Sequence, residues 1–357
     1  MTKEENIKFR EDVIKAQFKH HLSYDLNLDN PTTFNEKIQW LKLYYHDPLI
    51  TKCSDKYLAR EYIADKIGDK YLIPLIEVYD NAEDIDFNVL PNQFVLKINW
   101  GSGQNIIVKD KSTLNIEETK NKLKYWMEPA NNHYYGSFEW AYKNIKPKII
   151  CEKYIEQFDG NLYDYKIFCF NGEPKYVKVN IEHIPVYKEC FYDINWNKLE
   201  LETISSNSIL YEGNVEKPIC FDLMIEIAKK LSKDFVFIRV DFYIIENLLK
   251  IGELTFYPSN GMSKFKYKKW DYELGELLTL PKEKKIEYDY IDIKTLMDQV
   301  IILEPCIYQY RVLRENTVPI KEHIKKINSF IDKIAWWIPI KNLKNKFKNY
   351  FKYNITY

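Results

Sequence analysis

The 357-residue chain has six cysteines (Cys53, Cys151, Cys169, Cys190, Cys220 and Cys306) and no CxxC pair among them. That scatter argues against a thiolate zinc site or a disulfide scaffold and suits a reducing compartment. Net charge is lacking too. The 52 Lys and Arg balance 52 Asp and Glu, so no overall electrostatic footprint points to nucleic acid. No run of about 18 apolar residues is present to span a bilayer. The charged start, Met1-Thr-Lys-Glu-Glu-Asn-Ile-Lys8, leads into no apolar core and predicts no signal peptide. No Gly-Lys-Ser/Thr precedes a helix, which excludes a Walker A loop, and no internal repeat is evident. A cytoplasmic protein of two or three domains, with a substantial core, is expected.

What is there begins with helical periodicity over the first 70 residues. Phe34, Ile38, Leu41 and Tyr45 recur at helical spacing behind an N-cap at Thr32 or Thr33. A second helix runs from Asp55 and stops at Gly68, a suitable residue just past a helix end. Tyr71–Tyr79 reads as an extended run in which Pro74 demands an edge or a bend. In Phe94–Val108 a strand carrying Lys97 meets a Gly101-Ser102-Gly103 loop, and a second strand follows from Asn105. Such a loop lets backbone N–H groups approach an anion, and the lysine supplies a point charge, although the same residues also suit an ordinary turn. A polar helix is predicted over Asn115–Trp126 and a strand from Lys148 to Glu156.

Leu162–Phe170 and Pro174–Val179 flank Asn171-Gly172, a strong hairpin signal. On the first strand Asp164, Lys166, Phe168 and Phe170 share one face, with Tyr165, Ile167 and Cys169 on the other. Residues 185–216 read as irregular and Phe221–Leu231 as an amphipathic helix. A second hairpin, Phe235–Ile245 and Leu249–Phe256, carries one carboxylate per strand, Asp241 and Glu253, among apolar neighbours. Two carboxylates close together need a raised pKa or a cation between them. They are either solvent-facing acids or a divalent metal site. From about Tyr288 the chain turns helical and basic; residues 321–357 hold nine Lys against Glu322 and Asp332. This segment is either a helical cap or a basic amphipathic surface for an anionic membrane face.

The order of these signals carries more than any one of them. Thr33-Phe-Asn-Glu-Lys-Ile-Gln-Trp-Leu-Lys42, Asp55-Lys-Tyr-x-x-Arg-Glu-Tyr62, Leu90-Pro-x-x-Phe-Val-Leu-Lys-x-Asn-x-Gly-Ser-Gly103, Asp164-Tyr-Lys-x-x-Cys-Phe-Asn-Gly-Glu-Pro174, Arg239-Val-Asp-Phe-Tyr243 and Gly252-Glu-Leu-Thr-Phe-Tyr-Pro258 together cover roughly residues 30–280. The set resembles the TupA-like ATP-grasp family of bacterial surface-polysaccharide (teichuronopeptide) biosynthesis. The resemblance implies an α+β ATP-grasp fold, in which two α+β subdomains clamp ATP between antiparallel sheets. It divides the chain into an N-terminal helical region (1–90), an ATP-grasp domain (91–285, with a lid at 91–150 and a large subdomain at 151–285) and a basic helical extension (286–357).

Carried over residue by residue, the resemblance implies that Lys97 and Lys166 contact ATP phosphates, with Gly101, Ser102 and Gly103 closing over them. Glu152, Lys153 and Ile155 would form the adenine hinge, and Asp159 or Asp164 would hold the ribose. Asp241 and Glu253 would bind Mg²⁺. Thr255 stands where many ATP-grasp ligases have Asn, and its hydroxyl is a poorer metal ligand. Arg239, two residues before Asp241 and so on the same face, is either a holder of the acceptor carboxylate or the acyl phosphate, or an outward arginine.

The implied activity is ATP-dependent joining of a carboxylate to an amine through an acyl phosphate, with a uronic acid and an amine or amino acid as substrates. Lys166 and Arg239 would be the catalytic pair. Peripheral contact with the inner membrane face through the C-terminal segment is a further expectation. Two alternatives stand beside this reading. One is a glycosyltransferase of the same pathway, for which no convincing DxD motif is found. The other is a degenerate module binding nucleotide or polysaccharide as a scaffold.

Overall fold

Two antiparallel sheets, each with one apolar and one polar face, organise the structure, a computed structural model. It describes residues 3–155, 163–181, 187–205, 208–245 and 248–287. Asp159 and the basic 321–357 segment lie outside the described residues. The chain divides into two compact units. One is Phe9–Glu287; of the other, Met1–Lys8 with Tyr288–Tyr357, only residues 3–8 are described.

The helices are α1 (Lys3–Leu22), α2 (Phe34–Tyr44), α3 (Pro48–Ser54), α4 (Ala59–Ile67), α5 (Ile116–Met127), α6 (Tyr134–Ser137), α7 (Phe221–Ser232) and α8 (Lys269–Leu277). The strands are β1 (Leu75–Tyr79), β2 (Phe94–Ile98), β3 (Asn105–Val108), β4 (Ile149–Lys153), β5 (Asp164–Phe170), β6 (Glu173–Ile181), β7 (Tyr187–Asp193), β8 (Lys198–Leu199), β9 (Ser208–Leu210), β10 (Phe237–Ile245) and β11 (Leu248–Thr255). Thr33 caps α2 in a full capping box: its side chain accepts from the Glu36 N–H, and Glu36 reaches back to the Thr33 N–H. Gly68 ends α4 at φ 95°, and Asn171 and Gly172 turn the β5–β6 hairpin at φ 47° and 85°.

The smaller sheet runs β1-β4-β2-β3. Phe94, Leu96, Ile98 and Cys151 point into a core closed by Leu123 of α5. Period-two alternation therefore turns Lys97 of β2 and Glu152 of β4 to the opposite face. β1 lies before residue 91 and β4 crosses residue 150, because both are needed to complete the sheet that holds Lys97. β1 forms the edge, as Pro74 beside it demands.

The larger sheet runs β11-β10-β5-β6-β7-β8, with β9 pairing parallel to β7. Its apolar face buries Tyr165, Ile167, Cys169, Val177, Val179, Ile238, Val240 and Phe242. Against it α7 lays Met224, Ile227, Ala228 and Leu231, all buried. Each buried Val, Ile, Leu, Met or Phe among them contributes about 1.5–3 kcal/mol, which fixes the register of the polar face behind it. The expectation of irregular structure over residues 185–216 is corrected: β7, β8 and β9 lie there. Tyr187–Asp193 conceals its strand character by burying a charge, Glu189, which is 3% exposed and paired with Lys178.

Candidate active site

The polar face of the larger sheet is a row of opposed charges. Asp241 of β10 stands opposite Lys166 of β5 on one side and Glu253 of β11 on the other. Lys166 Nζ lies 2.5 Å from Asp164 Oδ2 and 2.6 Å from Asp241 Oδ2. Arg239 donates from Nε and Nη2 to the two oxygens of Asp241, each at 2.6 Å, and from Nη2 to Thr255 Oγ1 at 3.0 Å and Glu253 Oε1 at 3.3 Å. Thr255 in turn donates its hydroxyl to Glu253 Oε1 at 2.7 Å. A bulge after Asp241 aims Glu253 into this row. The bulge needs Gly252, because a Cβ there would stand 2.5 Å from the Tyr243 ring.

Burial decides how these charges behave. It works against the charged forms of Lys166 and Arg239, yet the Asp241 carboxylate beside each outweighs it, and both pKa values are raised. Glu253 is likewise opposed by burial, but Lys56, Arg239 and Lys166 hold it down to about 2. Asp164 moves the other way: burial raises its pKa and the Asp241 carboxylate adds to the rise, against the opposing pull of Lys166. Its Oδ1 is buried and has no hydrogen-bond partner among the described residues.

The smaller sheet answers with cations. Lys97 Nζ donates to Glu152 Oε2 at 2.7 Å, and Arg60 Nη1 to Glu152 Oε1 at 3.0 Å. Both Glu152 oxygens are therefore engaged, and the Lys153 N–H is bonded to Pro74 O at 2.9 Å. Ile155 is the last described residue before the 156–162 gap and is partly buried. Lys56 bridges the two sheets: Nζ donates to Gly101 O at 2.5 Å and lies 3.8 Å from Glu253 Oε2. The Ser102 N–H donates to His133 Nε2 at 2.9 Å, so that nitrogen carries no proton. Gly103 takes φ 70°, which glycine tolerates without strain.

A cleft opens between the sheets, lined among others by Lys56, Arg60, Lys97, Tyr142, Glu152 and Glu253. Lys97, Glu152 and Glu253 thus share one cavity. Asp164, Lys166, Arg239, Asp241 and Thr255 join Glu253 through the ion-pair row. Lys56, Arg60, His133 and Tyr142 were not singled out from the sequence. The signal for the first two was there in Asp55-Lys-Tyr-x-x-Arg60, where cations at i and i+4 follow a helix end. His133 and Tyr142 sit in loop sequence with no pattern to mark them.

The profile of the family described as TupA-like ATPgrasp matches residues 36–279. No curated protein matches the chain. Among solved structures it is similar to D-alanine–D-alanine ligase from Bacillus anthracis, at 18% identity over 68% of this chain and 72% of that one, with a TM-score of 0.40. D-alanine–D-alanine ligase from Helicobacter pylori gives 18% identity over 64% and 61%, TM-score 0.33. N5-carboxyaminoimidazole synthase from Aspergillus clavatus, solved with ADP and its ribonucleotide, gives 13% identity over 57% and 44%, TM-score 0.33. These structural likenesses are distant; the family match carries the assignment.

Proposed function

This chain belongs to the TupA-like ATP-grasp family, and from that premise we propose that it is an ATP- and Mg²⁺-dependent carboxylate–amine ligase. The observation that carries the reading is the pairing of two charged faces across one cleft. Lys97, Arg60 and Lys56 line it together with Glu253, and Lys166, Arg239 and Asp241 join Glu253 through the ion-pair row. A carboxylate does not react with an amine because its leaving group would be oxide. Transfer of the γ-phosphoryl group to one carboxylate oxygen forms an O–P bond, breaks the bond to the β-phosphate and releases ADP. The amine nitrogen then attacks the acyl carbon, phosphate departs, and the nitrogen loses a proton.

The work asked of the protein is to neutralise charge at the transferring group and to keep water out. Lys97, Lys166 and Lys56 supply the charge. Lys56 also bonds Gly101 O while lying 3.8 Å from Glu253, a link that supports a role for the Gly101–Gly103 loop in closing over the phosphates. With both Glu152 oxygens taken by cations, adenine would be read by the backbone of the Lys153–Ile155 stretch. Asp164, with its unpartnered Oδ1, suits a ribose hydroxyl.

Among the described residues no three His, Cys, Asp or Glu side chains gather into a ready-made metal cage. Asp241 and Glu253 nonetheless fit Mg²⁺, which takes one or two carboxylates and completes its shell with phosphate oxygens and water. Those two residues, with Thr255 beside them, would hold the ion, and it would supply Lewis-acid polarisation of the phosphates. Arg239 and Lys166 neutralise both carboxylates meanwhile, which keeps the pair stable with no ion bound.

We take the substrates to be a uronic acid and an amine or amino acid in surface-polysaccharide assembly, with the basic 321–357 segment resting on an anionic membrane face. Among the described residues no helix is long and apolar enough to cross a membrane. A phosphate-release screen of uronic acids against amino acids, with mass detection of the amide, tests the reading. Release only when both partners are present supports it; release with neither, or no Mg-ATP binding at all, sinks it.

A further inference from the structure

The Gly101–Gly103 loop is tied at its ends within its own hairpin and in its middle to a different element. The Gly101 N–H donates to Ile98 O at 3.3 Å, and the Asn105 N–H to Gly103 O at 3.0 Å. Between them the Ser102 N–H donates to His133 Nε2 at 2.9 Å. His133 directly precedes α6.

The two partners differ in freedom. His133 is fixed from both sides. Asn132 Nδ2 donates to Tyr142 O at 2.8 Å and Asn132 Oδ1 accepts from the Tyr134 N–H at 2.9 Å, while Ser137 Oγ donates to His133 O at 2.6 Å. The imidazole is half-buried and stands 5.3 Å from the ring of Tyr142, which lines the cleft. Ser102 and Gly103 are exposed, and a Cβ on Gly103 would meet nothing within 4 Å. The loop has room to move; the imidazole does not.

The chemistry of the bond limits what else Ser102 can do. A backbone N–H has one proton, and a good acceptor at 2.9 Å uses it. Only a neutral imidazole accepts there, with its own proton on Nδ1. Burial and the Lys56 ammonium both disfavour the protonated ring, against the pull of Glu253. An anion that draws on the Ser102 N–H must therefore take it from His133.

We propose that His133 is a latch on this loop, a positioning residue whose Nε2 holds the Ser102 N–H in the place that a nucleotide phosphate oxygen takes on binding. The proposal rests on the ATP reading above and adds to it a built-in competitor for the phosphate. Chains with the latch closed do not offer Ser102 to phosphate, so the latch lowers apparent affinity by the fraction left open. A residue that merely shaped the pocket would act with the opposite sign.

The test uses full-length His133→Phe, which keeps a ring against Tyr142 and removes the acceptor, and His133→Gln, whose side-chain carbonyl restores one. Titration calorimetry measures the affinity for the non-hydrolysable ATP analogue AMPPNP with Mg²⁺, and NMR measures solvent exchange of the Ser102 amide without nucleotide. His133→Phe is expected to bind Mg-AMPPNP about two- to tenfold more tightly, the worth of one net hydrogen bond, and its Ser102 amide to exchange faster. His133→Gln returns both toward wild type. Affinity in His133→Phe that is unchanged or weaker overturns the proposal, as does unchanged exchange at Ser102. If His133→Phe does not fold, ¹⁵N-histidine spectra of the wild type carry the test: the His133 Nε2 resonance must shift when Mg-AMPPNP saturates the protein, and a resonance that stays in place overturns the latch. A wild type that binds no Mg-AMPPNP overturns the ATP reading and the latch with it, whereas equal binding by wild type and His133→Phe overturns the latch alone.

Discussion

Asp241→Asn removes one charge from the centre of the row while keeping the shape of the side chain. Asp241 is 3% exposed and accepts from Lys166 Nζ, Arg239 Nε and Arg239 Nη2, each at 2.6 Å. Removing one partner of a buried ion pair costs about 3–5 kcal/mol when the other is left alone. Neither cation is left alone here. Lys166 keeps Asp164, and Arg239 keeps Glu253 and Thr255. One amide N–H must nonetheless face a cation, so the expected loss is about 2–3 kcal/mol. Urea unfolding of the nucleotide-free protein measures it, as a lowered midpoint with an unchanged m-value. The second arm adds Mg-ATP. At a hundred times its Kd, a ligand bound only to the native state stabilises by about 2.7 kcal/mol, and the variant should lose the part of this gain that depends on Mg²⁺. A variant as stable as the wild type, and still stabilised by Mg-ATP in full, would refute the reasoning.

Further outcomes follow from single contacts. Lys56→Met cuts the link between Gly101 O and Glu253, and should weaken Mg-ATP binding at least about tenfold in calorimetry, the effect of one lost charge-assisted contact. Glu253 is held at about 2 against an ordinary 4.5. Its folded pKa is depressed, so its stabilising effect is complete above about 4.5 and fades as pH falls toward 2. The stability gap between wild type and Glu253→Gln should close across that window in pH-dependent unfolding. Gly275→Ala should destabilise by about 1–3 kcal/mol, because its Cβ would meet rigid backbone of the Thr33 cap, 2.8 Å from the Thr33 carbonyl carbon; a thermal melt reads it. Gly103→Ala should cost about 1 kcal/mol through its left-handed backbone, in unfolding experiments without nucleotide.

The parts of this fold that can be read from sequence are those where one local rule acts alone. Asn171-Gly172 has a single good turn conformation, Gly68 a single role at a helix end, and the alternation in β5 and β10 fixes which residues face the row. Glu189 shows the limit. Its strand is legible only once Lys178 is known to stand beside it, and that contact comes from pairing between strands. Lys56 and Arg60 stand within a motif, but their targets, Gly101 and Glu152, are distant in sequence and nothing local connects them. Glu152 is the instructive case. The hinge pattern is present in its sequence, yet both its oxygens turn to cations, because Arg60 arrives from a helix that periodicity alone cannot place.

The central claim is that a carboxylate oxygen passes to phosphate. The most direct measurement supplies the uronic acid with ¹⁸O in its carboxylate, together with ATP, Mg²⁺ and the amine, and analyses the released phosphate by mass spectrometry. Transfer of one ¹⁸O to phosphate in each turnover, with ADP as the nucleotide product, is the predicted result. Phosphate free of ¹⁸O, or AMP and pyrophosphate as products, would contradict the acyl-phosphate account.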